Sequence, residues 1–327
     1  MELIVGGAYQ GQLEYARSLC PKCQWVDGAD CTLEQLCTCE GVYDFQEYIR
    51  GAMARGEDVS QLAQVLLERN PELLIVSNEV GYGVVPVEAF DRKYREAVGR
   101  ICTRLAAGAR RVHRVVCGVG MVIKDGLRLY LLRHSLTEGN TKKRYIGTTD
   151  EPLCQAGVEM LQAQSYPQVE AVYASPMRRC VQTARILYPQ ARIHIIDELR
   201  ECDFGEFENR NYLELDGNEN YQRWIDSNGT LPFPGGESRA AFRRRTLTGF
   251  QKAVTYCLRE QCREAALVVH GGSIMNILET HAVSKKDFYQ WRVENGHGYQ
   301  VELDQGAWRQ GKRSLSVTGK LPLRAEN

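Results

Sequence analysis

The sequence predicts an α/β protein of two domains, residues 1–124 and 125–327. Three observations predict this. A chain of 327 residues is longer than one hydrophobic core of ordinary size needs. Short apolar runs of strand character alternate along it with stretches of helical spacing, as in sheets built from parallel strands. Between the halves, "VIKDG" at Val122–Gly126 reads as a turn-like joint, after which the alternation begins again. No internal repeat or low-complexity tract interrupts either half.

The first half reads as three short strands, "LIVGG" at Leu3–Gly7, "LLIVSNE" at Leu73–Glu79 and "VHRVVCG" at Val112–Gly118. A helix is expected after the first, from Leu13, Tyr15, Ala16 and Leu19. A longer one precedes the third, where Phe90, Tyr94, Val98, Ile101 and Leu105 recur at helical spacing. The second half starts with the strand "LRLYLLRH". It continues through "VEAVYAS", the helix "MRRCVQTARIL", the strand "RIHIID" and a long polar stretch. The helix "ESRAAFRRRTLTGFQKAVTYCLRE", the strand "ALVVHGG", the helix "SIMNILETHAV" and the strand "YQVELD" complete it.

Composition bounds the function. Apolar residues make up 43% and charged residues 25%, as in an ordinary soluble protein, and the formal net charge is zero. Nothing overall points to nucleic acid or to an anionic membrane. No run approaches the roughly 20 apolar residues that span a bilayer, and no basic segment precedes the first apolar run as in a signal peptide. A cytoplasmic location is expected, with the 12 cysteines as thiols. Five of them, Cys20, Cys23, Cys31, Cys37 and Cys39, form a C-x-x-C and C-x-C cluster. The spacing matches no standard zinc or iron–sulfur set, so we read a cysteine-rich surface segment and no metal. The arginine runs Arg110–Arg111 and Arg243–Arg245 read as solvated ends of helices or strands.

The chemistry-bearing residues sit at strand ends, where ligands gather in open α/β sheets. One strand delivers Arg133 and His134. Another leads to Arg178 and Arg179 at a helix start, and a third is followed by Glu201. The strand "ALVVH" ends in His270. Each residue alone has a structural reading: a hydrogen-bonded histidine, a solvated arginine, a capping or ion-paired glutamate. Together they suit a phosphate dianion. Arginines fork onto its oxygens, and their charge keeps an imidazole neutral, with a lone pair free to attack phosphorus. A carboxylic acid held protonated could give its proton to the leaving oxygen.

The order and spacing of these segments carry a resemblance. Residues from about 127 to 300 resemble the histidine phosphatase superfamily, which includes the cofactor-dependent phosphoglycerate mutases and α-ribazole phosphatase. "RHSLTEGNTKKRYIGTTDEPLCQAGVEML" is similar to that family's RHGxTxxNxxxRxxGxxDxPLTxxGxxQA signature, and "ASPMRRCVQTA", "LRECDFGEFE", "PGGES" and "VVHGGSI" follow in family order. The resemblance implies a three-layer α/β/α domain of the phosphoglycerate mutase type. It makes His134 the nucleophile that forms phosphohistidine and Glu201 the proton donor. Arg133, Asn140, Arg179 and His270 would bind the transferring phosphoryl group, the spacing to "QTA" selecting Arg179 over Arg178. No metal or cofactor is implied, and the partner is a small phosphate monoester. Two departures from the signature matter: Ser135 replaces the glycine after "RH", and Cys154 replaces a threonine in "PLCQAG".

The first half resembles, more loosely, the bifunctional adenosylcobinamide kinase and guanylyltransferase of cobalamin assembly. "GGAYQGQLEYA", "LLIVSNEVGYGVVP" and "AGARRVHRVVCGV" carry this likeness, with little support between about residues 20 and 70. Gly6, Gly7 and Gly11 outline a small P-loop-like domain's phosphate loop. Where that loop needs Lys then Ser or Thr, Gln12 and Leu13 stand. Gln12 brings no charge to the terminal phosphates and Leu13 no hydroxyl to Mg²⁺. The histidine that accepts guanylate in that family has no counterpart, since no histidine precedes His113. An inactive kinase is expected, its half either a relic or interaction platform, or a nucleotide- or corrinoid-binding scaffold. Two halves similar to cobalamin-assembly proteins imply α-ribazole 5′-phosphate as substrate. A broad-specificity sugar-phosphate or nucleotide phosphatase, or a mutase, is the alternative.

Overall fold

A computed structural model of the chain describes residues 1–81 and 83–323. It divides into two compact units, Met1–Gly126 and Leu127–Asn327.

The first unit contains strands β1 (Glu2–Gly6), β2 (Trp25–Asp27), β3 (Gly41–Tyr43), β4 (Leu74–Asn78) and β5 (Arg111–Val116). Its helices are α1 (Gln12–Leu19), α2 (Leu33–Leu36), α3 (Phe45–Ala54), α4 (Leu62–Arg69) and α5 (Ala89–Gly108). The order β2-β3-β4-β1-β5 is parallel throughout. Side chains alternate across a strand, so each strand feeds two faces. Leu3, Val5, Ile75 and Val112 pack with Phe45, Ile49, Leu66 and Val98 from α3, α4 and α5. Ile4, Val76 and Val115 pack with Ala16 of α1.

Two expectations are corrected here. Among the described residues the first half has five strands of its own and not three, for β2 and β3 also lie in it; at three residues each they are too short to show a period. "VIKDG", whose Gly126 ends the first unit, is not a turn but part of β6 (Val119–Arg133), whose first residues pair antiparallel with β5, Asp125 opposite Arg111. The chain reverses instead at Cys117 and Gly118, with φ of 51° and 78°. Two left-handed residues make the turn whose twist matches a two-residue hairpin. Arg111 is correspondingly not solvated: its Nε donates to Asp125 Oδ1 at 2.7 Å.

The second unit holds the remainder of β6 with β7 (Ala171–Ala174), β8 (Ile193–Ile195), β9 (Glu264–Val269), β10 (Gly298–Asp304) and β11 (Ser316–Leu321). Its helices are α6 (Glu138–Thr141), α7 (Gln155–Gln162), α8 (Arg178–Leu187), α9 (Glu219–Asp226), α10 (Arg239–Arg259), α11 (Gly271–His281) and α12 (Gln305–Arg309). The strand order is β11-β10-β6-β9-β7-β8, with β6, β9, β7 and β8 parallel. Leu129, Leu131, Tyr173 and Leu267 pack on one face against Phe250 and Val254 of α10 and Ile274 and Ile277 of α11. Tyr130, Leu132, Val172 and Val268 pack on the other against Cys180 and Ala184 of α8. The result is a three-layer α/β/α unit. Among the described residues, no helix is long and apolar enough to cross a membrane.

Candidate active site

Because β6, β9 and β7 run parallel, their C-terminal ends open at one edge of the sheet. Arg133 ends β6 and His134 follows it; Val269 ends β9 and His270 follows as the residue capping α11; Ser175 follows β7. The backbone fixes this meeting, as His134 N donates to Val269 O at 2.9 Å and Ser175 N to Val268 O at 3.1 Å.

His134 is 3% exposed, and its Nδ1 lies 2.7 Å from the carbonyl oxygen of Ser135. A carbonyl only accepts, so Nδ1 carries the proton and Nε2 keeps its lone pair. Burial, and then the charges of Arg179 and Arg133, hold this imidazole well below the usual histidine range. His270 stands edge-on to it, ring centroids 5.2 Å apart, with Nε2 2.8 Å from Ser175 Oγ. Burial, Arg179, His134 and Arg133 depress it likewise.

Arg179 is 0% exposed. Its Nη groups donate to the carbonyl oxygens of Thr149 at 2.8 Å, Gly147 at 2.9 Å and Ile146 at 3.3 Å. Arg133 Nη1 donates to Val293 O at 2.9 Å. In both guanidinium groups the buried Nε–H has no partner among the described residues. Burial, eased by the nearby Glu201 carboxyl, lowers the Arg133 pKa, though an arginine stays charged near neutrality.

Glu201 lies between two 3₁₀ turns, its side chain 11% exposed and its Oε2 3.9 Å from His270 Nδ1. Burial pushes its pKa up, against the Cys202 N–H on Oε1 and the charges of Arg179, Arg133 and Arg245. Gly272 lets it in: a Cβ there would stand 3.0 Å from Glu201 Oε1 and 2.8 Å from the Phe242 ring.

The structure brings Arg133, His134, Arg179, Glu201 and His270 together, and leaves Arg178 on the surface. Asn140 joins less directly. Its Oδ1 accepts from Thr137 N at 3.3 Å, in the capping box of α6, and from Asn295 Nδ2 at 3.0 Å. Asn295 Nδ2 also reaches the carbonyl of His134 at 3.1 Å. Asn295 was missed in the sequence, where "ENGHG" signals only a turn. Ser135 does not strain the loop, since its φ is not positive. Its Oγ donates to Gly157 O at 2.7 Å, and its N donates to Thr183 Oγ1 at 3.1 Å. A cavity of about 310 Å³, lined in part by Thr148, Asp150, Met177 and Arg200, opens beside Glu201. Tyr221 and Trp224 stack on each other in an aromatic cluster with Tyr145, Phe207 and Phe233, while Tyr212 is exposed.

In the first unit, Gly6 ends β1, Gly7 follows, and Gly11 precedes α1 in the left-handed region at φ 80°. Gln12 is 5% exposed and turned into the loop, its Nε2 donating to Gly7 O at 2.6 Å and to Asn78 Oδ1 at 2.9 Å. The adjoining cavity of about 350 Å³ is lined by Glu14, Asp44 and Glu47 and, among the described residues, by no cation, a field that repels phosphate. His113 is buried in β5 beside Tyr15, Oη to Nδ1 3.0 Å. The cysteines are free thiols. Burial, with Cys20 and Glu40, pushes Cys23 up to about 12, and burial with Cys39 pushes Cys31 up to about 11. Among the described residues no group of histidine, cysteine or carboxylate side chains is arranged to hold a metal.

Charged guanidinium donors, a neutral imidazole with a free nitrogen and a carboxyl whose pKa burial raises are together suited to phosphoryl transfer from an ester. The comparisons agree. Residues 34–123 match the family described as cobinamide kinase / cobinamide phosphate guanyltransferase. There the chain is 38% identical, over 86 residues, to the "Bifunctional adenosylcobalamin biosynthesis protein CobU" of Salmonella typhimurium, covering 26% of this chain and 48% of that protein. An "Adenosylcobalamin/alpha-ribazole phosphatase" of Escherichia coli is 28% identical over 193 residues, covering 56% of this chain and 88% of the relative. The crystal structure of the α-ribazole phosphatase from Shigella flexneri superposes with a TM-score of 0.51 at 25% identity, covering 62% of this chain and 100% of that one. Residues 129–314, more than half of the chain, match the histidine phosphatase superfamily (branch 1), and the chain belongs to that superfamily as a phosphatase carrying a CobU-like N-terminal unit.

Proposed function

We propose that the chain hydrolyses a phosphate monoester through a phosphohistidine on His134, and that its substrate is α-ribazole 5′-phosphate. His134 Nε2 attacks phosphorus, the bond to the ester oxygen breaks, and Glu201 gives that oxygen its proton. Glu201, now a carboxylate, takes a proton from water as the water's oxygen attacks the phosphohistidine. Phosphate leaves with the original imidazole and carboxylic acid restored. Arg133, Arg179 and His270 hold the phosphoryl oxygens, with Asn140 at the edge. The observation that carries this reading is the His134 Nδ1 bond to Ser135 O, which leaves the other ring nitrogen with its lone pair. Alkaline-quenched enzyme mixed with substrate should hold acid-labile phosphate, and His134→Ala should lose both that adduct and turnover. Full hydrolysis by His134→Ala would overturn the mechanism.

The substrate follows from two independent likenesses in one chain, a phosphatase half akin to α-ribazole phosphatases and a half akin to a cobalamin-assembly enzyme. The first unit serves without phosphoryl transfer, because Gln12 occupies the loop's carbonyl and Leu13 cannot ligate Mg²⁺. Calorimetric titration of the full chain with GTP and Mg²⁺ should register no binding at millimolar nucleotide. Micromolar binding would make the unit a nucleotide module.

A further inference from the structure

Of the three arginines in "RRR", two meet the expectation of a charged surface: Arg244 is exposed, and Arg243 is half-exposed beside Glu279. Arg245 does not. It projects from the second turn of α10 toward Glu201's segment, its side chain 28% exposed. Nε donates to Glu237 Oε1 at 3.1 Å and Nη2 to Glu237 Oε2 at 2.6 Å, a two-pronged ion pair. Nη1 donates to the carbonyls of Glu198 at 3.0 Å and Arg200 at 2.8 Å, and Nη2 to the carbonyl of Glu201 at 3.2 Å. A guanidinium has five N–H groups, and here each has an acceptor. Three of the five acceptors are carbonyls of residues 198–201, the last being that of Glu201 itself.

Glu237 is held in turn. Its N donates to Asp203 O at 2.9 Å, and the following Ser238 caps α10 through Ala241 N at 3.2 Å. The guanidinium also lies 5.3 Å over the Phe242 ring, which packs against Gly272 beside the Glu201 carboxyl. The segment bearing Glu201 has no regular strand or helix to fix it, only two three-residue turns. A rigid fork anchored on a long helix supplies what the backbone lacks.

We propose that Arg245, locked by Glu237, is the positioning residue for Glu201, holding its backbone so that the carboxyl meets the leaving oxygen. This rests on Glu201 being the proton donor. Lysine cannot replace the fork, having one nitrogen where five directed N–H groups are needed. General acids contribute about 10²- to 10⁴-fold where the leaving group needs a proton. A leaving group that departs as a stable anion needs little such help, so the clamp's loss should be selective.

The test compares kcat/KM for α-ribazole 5′-phosphate, an alkyl ester, with that for p-nitrophenyl phosphate, in wild type, Glu201→Gln, Arg245→Lys and Glu237→Gln. Retained turnover of the aryl ester verifies that each variant is folded. We expect Glu201→Gln to lose about 100-fold or more on the alkyl ester and far less on the aryl ester. Arg245→Lys and Glu237→Gln should show the same selectivity, at about tenfold or more against less than threefold. Equal losses on both esters, or no loss, in the two clamp variants while Glu201→Gln stays selective would overturn the positioning role alone. A Glu201→Gln variant without selectivity would overturn the acid assignment and the clamp's role with it.

Discussion

His134 and Glu201 are pushed in opposite directions by the same enclosure. Burial takes charge out of water, which lowers a histidine's pKa and raises a carboxyl's, and the adjacent guanidinium charges add to the first effect and oppose the second. The sign of the pH dependence follows. Both histidines are already neutral in weakly acidic solution, and Glu201 keeps its proton above the usual carboxylate range. kcat/KM for an alkyl ester should therefore hold level there and fall as pH rises through the raised Glu201 value. Glu201→Gln should remove that descending limb. Stability falls with rising pH as well, but there the substitution relieves the loss. A carboxyl whose folded pKa is raised withdraws stability once pH exceeds its unfolded value, so Glu201→Gln should raise Tm at pH 8 and leave it unchanged at pH 4. A lowered Tm at pH 8 would mean that Glu201 is ionised and paired.

At the scale of elements, Ser135 joins the loop after β6 to the start of α7. Its Oγ bond to Gly157 O replaces nothing that a glycine could offer. Ser135→Gly should cost about 1 kcal/mol by denaturant unfolding and leave kcat/KM within a fewfold of wild type. A hundredfold loss would place the hydroxyl in the chemistry. Elements also set what could be read in advance. The strands ending at Arg133 and Val269 are apolar runs bounded by glycine or histidine, and α10 has a long helical period, so these are legible. β2 and β3 are too short for a period. The polar look of Lys124 and Asp125 hides a strand, because Asp125 finds its ion pair sideways on Arg111 instead of in water. The five clustered site residues are legible because each sits in a short local motif, Arg133, His134 and His270 at strand ends and Arg179 and Glu201 in the segments that follow β7 and β8. Arg245 and Asn295 are not, since their partners lie 44 and 161 residues away along the chain. No spacing rule reports a tertiary hydrogen bond.

Over the whole molecule, two units each with its own core share one chain, and among the described residues the second gathers the groups suited to phosphoryl transfer. The first keeps the strand, loop and helix of a phosphate-binding fold but fills the loop with a neutral amide and faces it with carboxylates. A fusion of this kind ties the phosphatase to cobalamin assembly by association. The most direct measurement of that tie is steady-state phosphate release, with chelator present, from α-ribazole 5′-phosphate beside sugar phosphates, nucleotides and phosphoglycerates. We predict a kcat/KM for α-ribazole 5′-phosphate orders of magnitude above the rest. Comparable slow rates across the panel, or turnover of phosphoglycerate only with a bisphosphate primer, would contradict it and leave a general phosphatase or a mutase.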